Sequence, residues 1–188
     1  MQSGRSFAGP FIALFAAMAV GWLMQPADSP PMRLPTRPAP SPDWELVGLD
    51  GRPAKLTDFK GRIVVLNLWA TYCIPCVRET PDLIRFHEAQ ATNGVVVVGV
   101  AAEDGARETV PPFVKAHRIP YPVYYADLTA IEQFGSVSLP QTFIIDREGM
   151  IQSRFIGRMR LQDLEKAIAP LLAGHLTNST PDTGSGVR

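Results

Sequence analysis

The sequence predicts an α/β domain with a central mixed sheet flanked by helices, and three observations carry that expectation. Two continuous apolar runs, 63–69 (IVVLNLW) and 95–100 (VVVVGV), have the composition of strands buried on both faces. A helical stretch from about 73 to 91 joins them, so the strands should run parallel with a right-handed crossover. Beyond them, strand and helix patterns keep alternating up to Gly174.

Taken in order, residues 44–49, the turn Asp50-Gly51 and residues 52–56 predict an N-terminal β-hairpin, because Asp-Gly between apolar-containing runs favours a tight turn. The two buried strands and their helix follow. Residues 107–117 then read as helix, 121–125 as strand and 130–134 as a short helix. Residues 142–146 and 150–155 are strands around the turn Asp146-Arg147-Glu148-Gly149. Leu161, Leu164, Ile168, Leu171 and Leu172 recur at helical spacing, which predicts a closing amphipathic helix ending at Gly174.

The two ends differ from this body. Residues 6–24 carry no charge, and at ~1.5 Å per residue they span just under the ~30 Å hydrocarbon core of a bilayer. Residues 1–24 therefore read as a membrane anchor or signal segment, and Ala17-Met18-Ala19 spells a cleavage site inside the apolar run. Arg5 stands on one side of it, Arg33 and Arg37 on the other, so arginine counting leans against the N-in orientation that a short head favours. Residues 25–42 hold seven prolines and read as a semi-extended linker. The domain proper is expected at 43–174, and the small polar tail 175–188 is expected to be disordered. Lys plus Arg balances Asp plus Glu at 18 each, so no basic field recruits nucleic acid.

Both cysteines of the chain lie in W-A-T-Y-C-I-P-C, at Cys73 and Cys76. A zinc site needs four ligands at short spacing, and His87, His117 and His175 are scattered. A structural disulfide across two residues constrains the unfolded chain little. Redox chemistry fits the position better. Cys73 follows a buried strand and opens a helix, where unpaired N–H groups and the helix dipole favour the thiolate, so it is the candidate nucleophile. Cys76 lies on the same helical face, deeper in the first turn, as the candidate resolving thiol. Pro75 suits that turn, where its missing N–H costs nothing.

The register of LDGRPAKLTDFKGRIVVLNLWATYCIPCVRETPDL, VVVVGVAAED, GSVSLPQTFIIDREGMI and a closing FIG resembles the thioredoxin superfamily, and within it the membrane-anchored TlpA/ResA-like thiol-disulfide oxidoreductases. The resemblance spans about 43–174 and implies a thioredoxin-like fold. It implies that Pro140 is a cis-proline beside the cysteines, with the backbone of Leu139 free to pair with an extended substrate. Pro81 matches a proline that kinks the active-site helix. Glu79 matches an acid that handles protons at the buried cysteine; the plainer alternative is a first-turn acid complementing the helix dipole. Asn67 stands where thioredoxins themselves usually have a buried acid. Trp69 matches a tryptophan beneath the site, a position equally suited to an ordinary core aromatic. Tyr72 departs from the usual tryptophan before the first cysteine.

Together these features lead to the expectation of a membrane-tethered periplasmic dithiol reductase that needs no cofactor. Its expected partners are protein disulfides, by resemblance those of apocytochrome c or of a copper-site protein, and a membrane electron-donor protein. Ile74-Pro75 places no histidine between the cysteines to stabilise the thiolate, which favours the reducing direction. The rivals are a disulfide oxidase or isomerase, a thiol peroxidase, and a non-enzymatic copper chaperone. The peroxidase would want threonine where Ala70 stands, and the chaperone a wider cysteine spacing with a histidine.

Overall fold

The computed structural model describes residues 29–34, 36–42, 44–126 and 138–177. Among the described residues, nine strands form one mixed sheet: β1 (Met32–Leu34), β2 (Ala39–Pro40), β3 (Glu45–Gly48), β4 (Pro53–Lys55), β5 (Ile63–Trp69), β6 (Val95–Ala101), β7 (Val123–Ala126), β8 (Gln141–Ile145) and β9 (Met150–Ile156). Their order is β1-β9-β8-β5-β6-β7-β3-β4, with β2 also on β9. β5, β6 and β7 are parallel neighbours, while β8, β9 and the hairpin pair antiparallel. Helices α1 (Ile74–Gln90), α2 (Ala106–His117) and α3 (Leu161–Thr177) join this sheet in an α/β fold.

The central strands form where the apolar runs predicted them, and every residue of β5 and β6 is buried. Alternation divides their side chains between two cores. Ile63, Val65 and Trp69 face α1, meeting Cys76, Leu83 and Phe86, with Met159, Leu164 and Ile168 on the same side. Val64, Leu66 and Leu68 face a second core closed by Trp44, Leu46, Leu56 and Phe59. Each fully buried side chain of this size contributes about 1.5–3 kcal/mol, and those of α1 hold the redox helix rigidly on β5. The hairpin forms as expected, with Gly51 at φ +81°, a left-handed conformation natural to glycine at this turn.

Three expectations need correction. Residues 25–42 are not a free linker over their whole length: β1 and β2 pair antiparallel with β9, so the sheet begins before residue 43. Edge strands tolerate proline because only one side of the backbone needs to bond. Gly174 does not end the last helix, which continues to Thr177, into the stretch expected to be disordered. The strand expected at 121–125 starts at Val123, since prolines at 120 and 122 lack ladder donors, although Tyr121 is buried. The expected helix at 130–134, the segment 1–24 and the tail from 178 lie outside the described residues. Among the described residues, no helix is long and apolar enough to cross a membrane.

Candidate functional site

Trp69 ends β5, and the chain turns through Ala70–Tyr72 to reach α1. Glu103, buried just beyond β6, ties this turn down: its carboxylate accepts from the Thr71 N–H at 2.9 Å, the Thr71 hydroxyl at 3.0 Å and the Thr109 hydroxyl of α2 at 2.7 Å. Cys73 then takes the N-cap position with extended backbone, and Pro75 fills the first turn. Cys73 and Cys76 form a disulfide, with Cα atoms 5.2 Å apart. The Cys73 sulfur also accepts from the Cys76 backbone N–H at 3.3 Å, so an orphan helix donor points at the candidate nucleophile.

The two sulfurs differ in surroundings. Cys73 is partly exposed between Tyr72 and Ile74, which are 72% and 66% exposed, whereas Cys76 is 2% exposed. One turn deeper, Glu79 is fully buried. Asn67 Nδ2 donates to its Oε1 at 2.5 Å and the Met159 backbone N–H donates to its Oε2 at 2.7 Å. Asn67 also donates to the Thr142 hydroxyl at 3.1 Å, linking β5, β8 and α1 in one polar node. Burial is the largest influence on this carboxyl and raises its pKa from 4.5 to about 8. The Met159 and Asn67 bonds and the Arg158 charge oppose that rise, and Asp82 adds to it. At neutral pH the raised pKa favours the protonated form of Glu79. Fully buried, this carboxyl is not an exposed counter-charge to the helix dipole.

The other predicted residues are also gathered here. The Leu139–Pro140 peptide is cis, Pro140 is buried at the start of β8, and its carbonyl accepts from the Gly157 N–H at 2.9 Å. Leu139 is partly buried and touches both cores. Trp69 packs against Phe113 with ring centroids 5.0 Å apart and lies over Gly99, where a Cβ would come within 3.1 Å of the indole nitrogen. Pro81 lies inside α1 on its exposed side. Of the histidines, His87 meets Tyr121 and His117 stacks on Phe113, while the His175 side chain lies outside the described residues. Among the described residues, no group of His, Cys, Asp and Glu could hold a metal ion.

Sequence reasoning missed several members. Thr142, the Met159 N–H and the Glu103 clasp are brought in by folding from distant positions. Asp82, three residues after Glu79 on the same helix, could have been found by spacing; it pairs with Arg158 at 3.2 Å and Arg85 at 2.5 Å. That fork pins the turn after β9 on α1, which brings the Met159 N–H to Glu79.

A model of the AhpC/TSA family matches residues 38–154. The chain belongs to the AhpC/TSA family. Among curated relatives it is similar to the thioredoxin-like protein YneN of Bacillus subtilis, 30% identical over 129 residues that cover 68% of this chain and 76% of that one. It is also similar to the thiol-disulfide oxidoreductase ResA of Bacillus cereus, 29% identical over 96% of this chain and all of the relative. Among solved structures, a thiol:disulfide interchange protein of the thioredoxin family from Chlorobium tepidum superposes with a TM-score of 0.65 at 29% identity, covering 74% of this chain and 99% of that one. This AhpC/TSA member has the thioredoxin-like fold and is a thiol-disulfide oxidoreductase.

Proposed function

We propose that the chain is a membrane-tethered dithiol reductase working in the periplasm or an equivalent extracytoplasmic space. The observation that carries this reading is the asymmetry of the pair: Cys73 is open to a partner at the helix start, while Cys76 is buried one turn from a protonated Glu79. In the reduced protein the Cys73 thiolate attacks one sulfur of a partner's disulfide, whose other sulfur leaves as a thiolate and takes a proton. Cys76, losing its proton to Glu79 in the ionised form of that carboxyl, then attacks the Cys73 sulfur; the Cys73–Cys76 disulfide forms, and the partner's sulfur leaves as a thiolate that takes a proton, so the partner is released as a dithiol. Heme-binding cysteine pairs of apocytochrome c and copper-ligand cysteines of an oxidase are the proposed partners. A membrane dithiol protein is the proposed source of electrons.

A Cys76→Ser variant tests the roles by removing the resolving thiol. It should accumulate a mixed disulfide through Cys73, and mass spectrometry would identify the captured protein; capture through position 76 of a Cys73→Ser variant instead would reverse the roles. Direction is read separately by equilibration with glutathione, where a potential of about −220 to −280 mV is expected and one near ~−120 mV marks an oxidase.

A further inference from the structure

The chain enters the sheet at its redox end. Ile156 at the end of β9 lies opposite both Gln141 and Met32, and Gln141 lies opposite Leu68, next to last in β5. Met32 is therefore level with the end of β5 from which Cys73 follows, three strand spacings or roughly 14 Å across the sheet. Pro31 comes closer still to the cis-proline turn: its Cα is 3.8 Å from where a Cβ on Gly157 would sit, and Gly157 donates to the Pro140 carbonyl. From Met32 the chain runs away from that end along β9. Leu34 faces Arg154, the Thr36 hydroxyl donates to the Gln152 carbonyl at 3.4 Å, Ala39 faces Ile151, and the Ser41 N–H donates to the Gly149 carbonyl at 2.8 Å. The C-terminal helix runs in the same sense, so it carries the chain out of the domain at the far end. α3 begins just after Met159 at the Glu79 node, and by Leu171 its carbonyl accepts from Arg147, in the far turn between β8 and β9, at 3.3 Å.

We propose that residues 29–42 are an orienting strap, which turns the Cys73 end of the domain towards the membrane so that a membrane-embedded dithiol protein can reach the disulfide. The inference rests on the membrane-tethered reading above. A flexible tether raises the local concentration of the domain whichever way it points. A strap bonded along β9 also selects the direction, because its entry point and the redox pair share one end of the sheet. In the exchange, one donor thiolate attacks the Cys73 sulfur. The Cys73–Cys76 bond breaks, and Cys76 takes its electron pair and a proton. The second donor thiol then attacks the mixed disulfide and frees Cys73. The donor ends as a disulfide and this chain as a dithiol, two electrons having moved.

The test compares three membrane-tethered chains at equal abundance by thiol trapping in intact membranes. The first is the natural chain. The second carries a long Gly/Ser spacer between residues 28 and 29, and the third is exported without its own anchor and held by an apolar segment placed after residue 188. The C-tethered chain should show a roughly tenfold lower ratio of reduced to oxidised Cys73–Cys76, and the spacer chain an intermediate one. Equal ratios in all three would overturn the orienting role while leaving the reductase reading intact. The membrane reading is checked on the natural chain by cell fractionation: recovery in the membrane supports it, and recovery as a soluble protein removes it and the orienting role together.

Discussion

Cys73 and Cys76 are bonded to each other, yet the regions around them are built on opposite terms. Around Cys73 the chain exposes the large side chains of Tyr72 and Ile74 together with Pro75, which shapes the first turn of α1. Around Cys76 everything is committed: Glu79, Asn67 and Thr142 are buried and bonded, and Trp69 fills the space that Gly99 leaves open. The difference teaches that exposed surface and buried hydrogen bonding are assigned to separate layers of one helix turn. The outer layer can change without disturbing the inner one, but the reverse does not hold.

The largest effect expected is from Cys73→Ser. It leaves a lone thiol at the buried position, and reduction of a protein disulfide should fall by at least ~10³-fold. A rate near the natural one would erase the distinction between the layers. Next comes Glu79→Gln, read with the disulfide intact. The folded pKa of Glu79 is about 8 against an ordinary value of 4.5, so between those values the folded protein keeps a proton that the unfolded chain has lost. Stability should therefore fall as pH rises through that window, by on the order of a few kcal/mol in all, and level off above it. Urea midpoints measured from pH 5 to 9 should show this slope in the natural chain and a flat profile in the Gln variant; parallel slopes would make Glu79 an unremarkable core residue.

Gly99→Ala should cost about 1–3 kcal/mol, because the new Cβ meets the Trp69 indole nitrogen at 3.1 Å and Tyr121 at 3.3 Å within a packed core. The smallest change in stability is expected from Tyr72→Ala and Ile74→Ala, within about 0.5 kcal/mol of the natural chain. Those variants should react with a protein disulfide roughly 5–10-fold more slowly and with a small disulfide at an unchanged rate. Equal slowing with both substrates would mean that the outer layer acts on the sulfur rather than on the partner.

Much of the inner layer was legible in the sequence. IVVLNLW and VVVVGV are strands because uninterrupted apolar runs must be covered on both faces. Asn67 and Glu79 stood out through the resemblance to the thioredoxin superfamily, which places an acid at or near each position. The Met159 N–H was not legible, since a backbone donor leaves no mark in a sequence, and Thr142 became a partner of Asn67 only through the pairing of β5 with β8. The strap was hidden for a different reason. Its two strands are short, flanked by prolines and largely exposed, so they carry no alternating pattern, and they are paired by the backbone.

The sheet also closes its own margins. On one side it ends in β1 and β2, of three and two residues, and on the other in β4, three residues that open with Pro53 and finish with Lys55. The two most β-prone segments of the chain, β5 and β6, sit side by side at the centre with three strands between each and the nearer edge. Such segments, if left on a flank, would offer another molecule a template for cross-β stacking. Because short strands bearing proline and lysine stand outside them, the sheet presents neither segment to another molecule as an open margin.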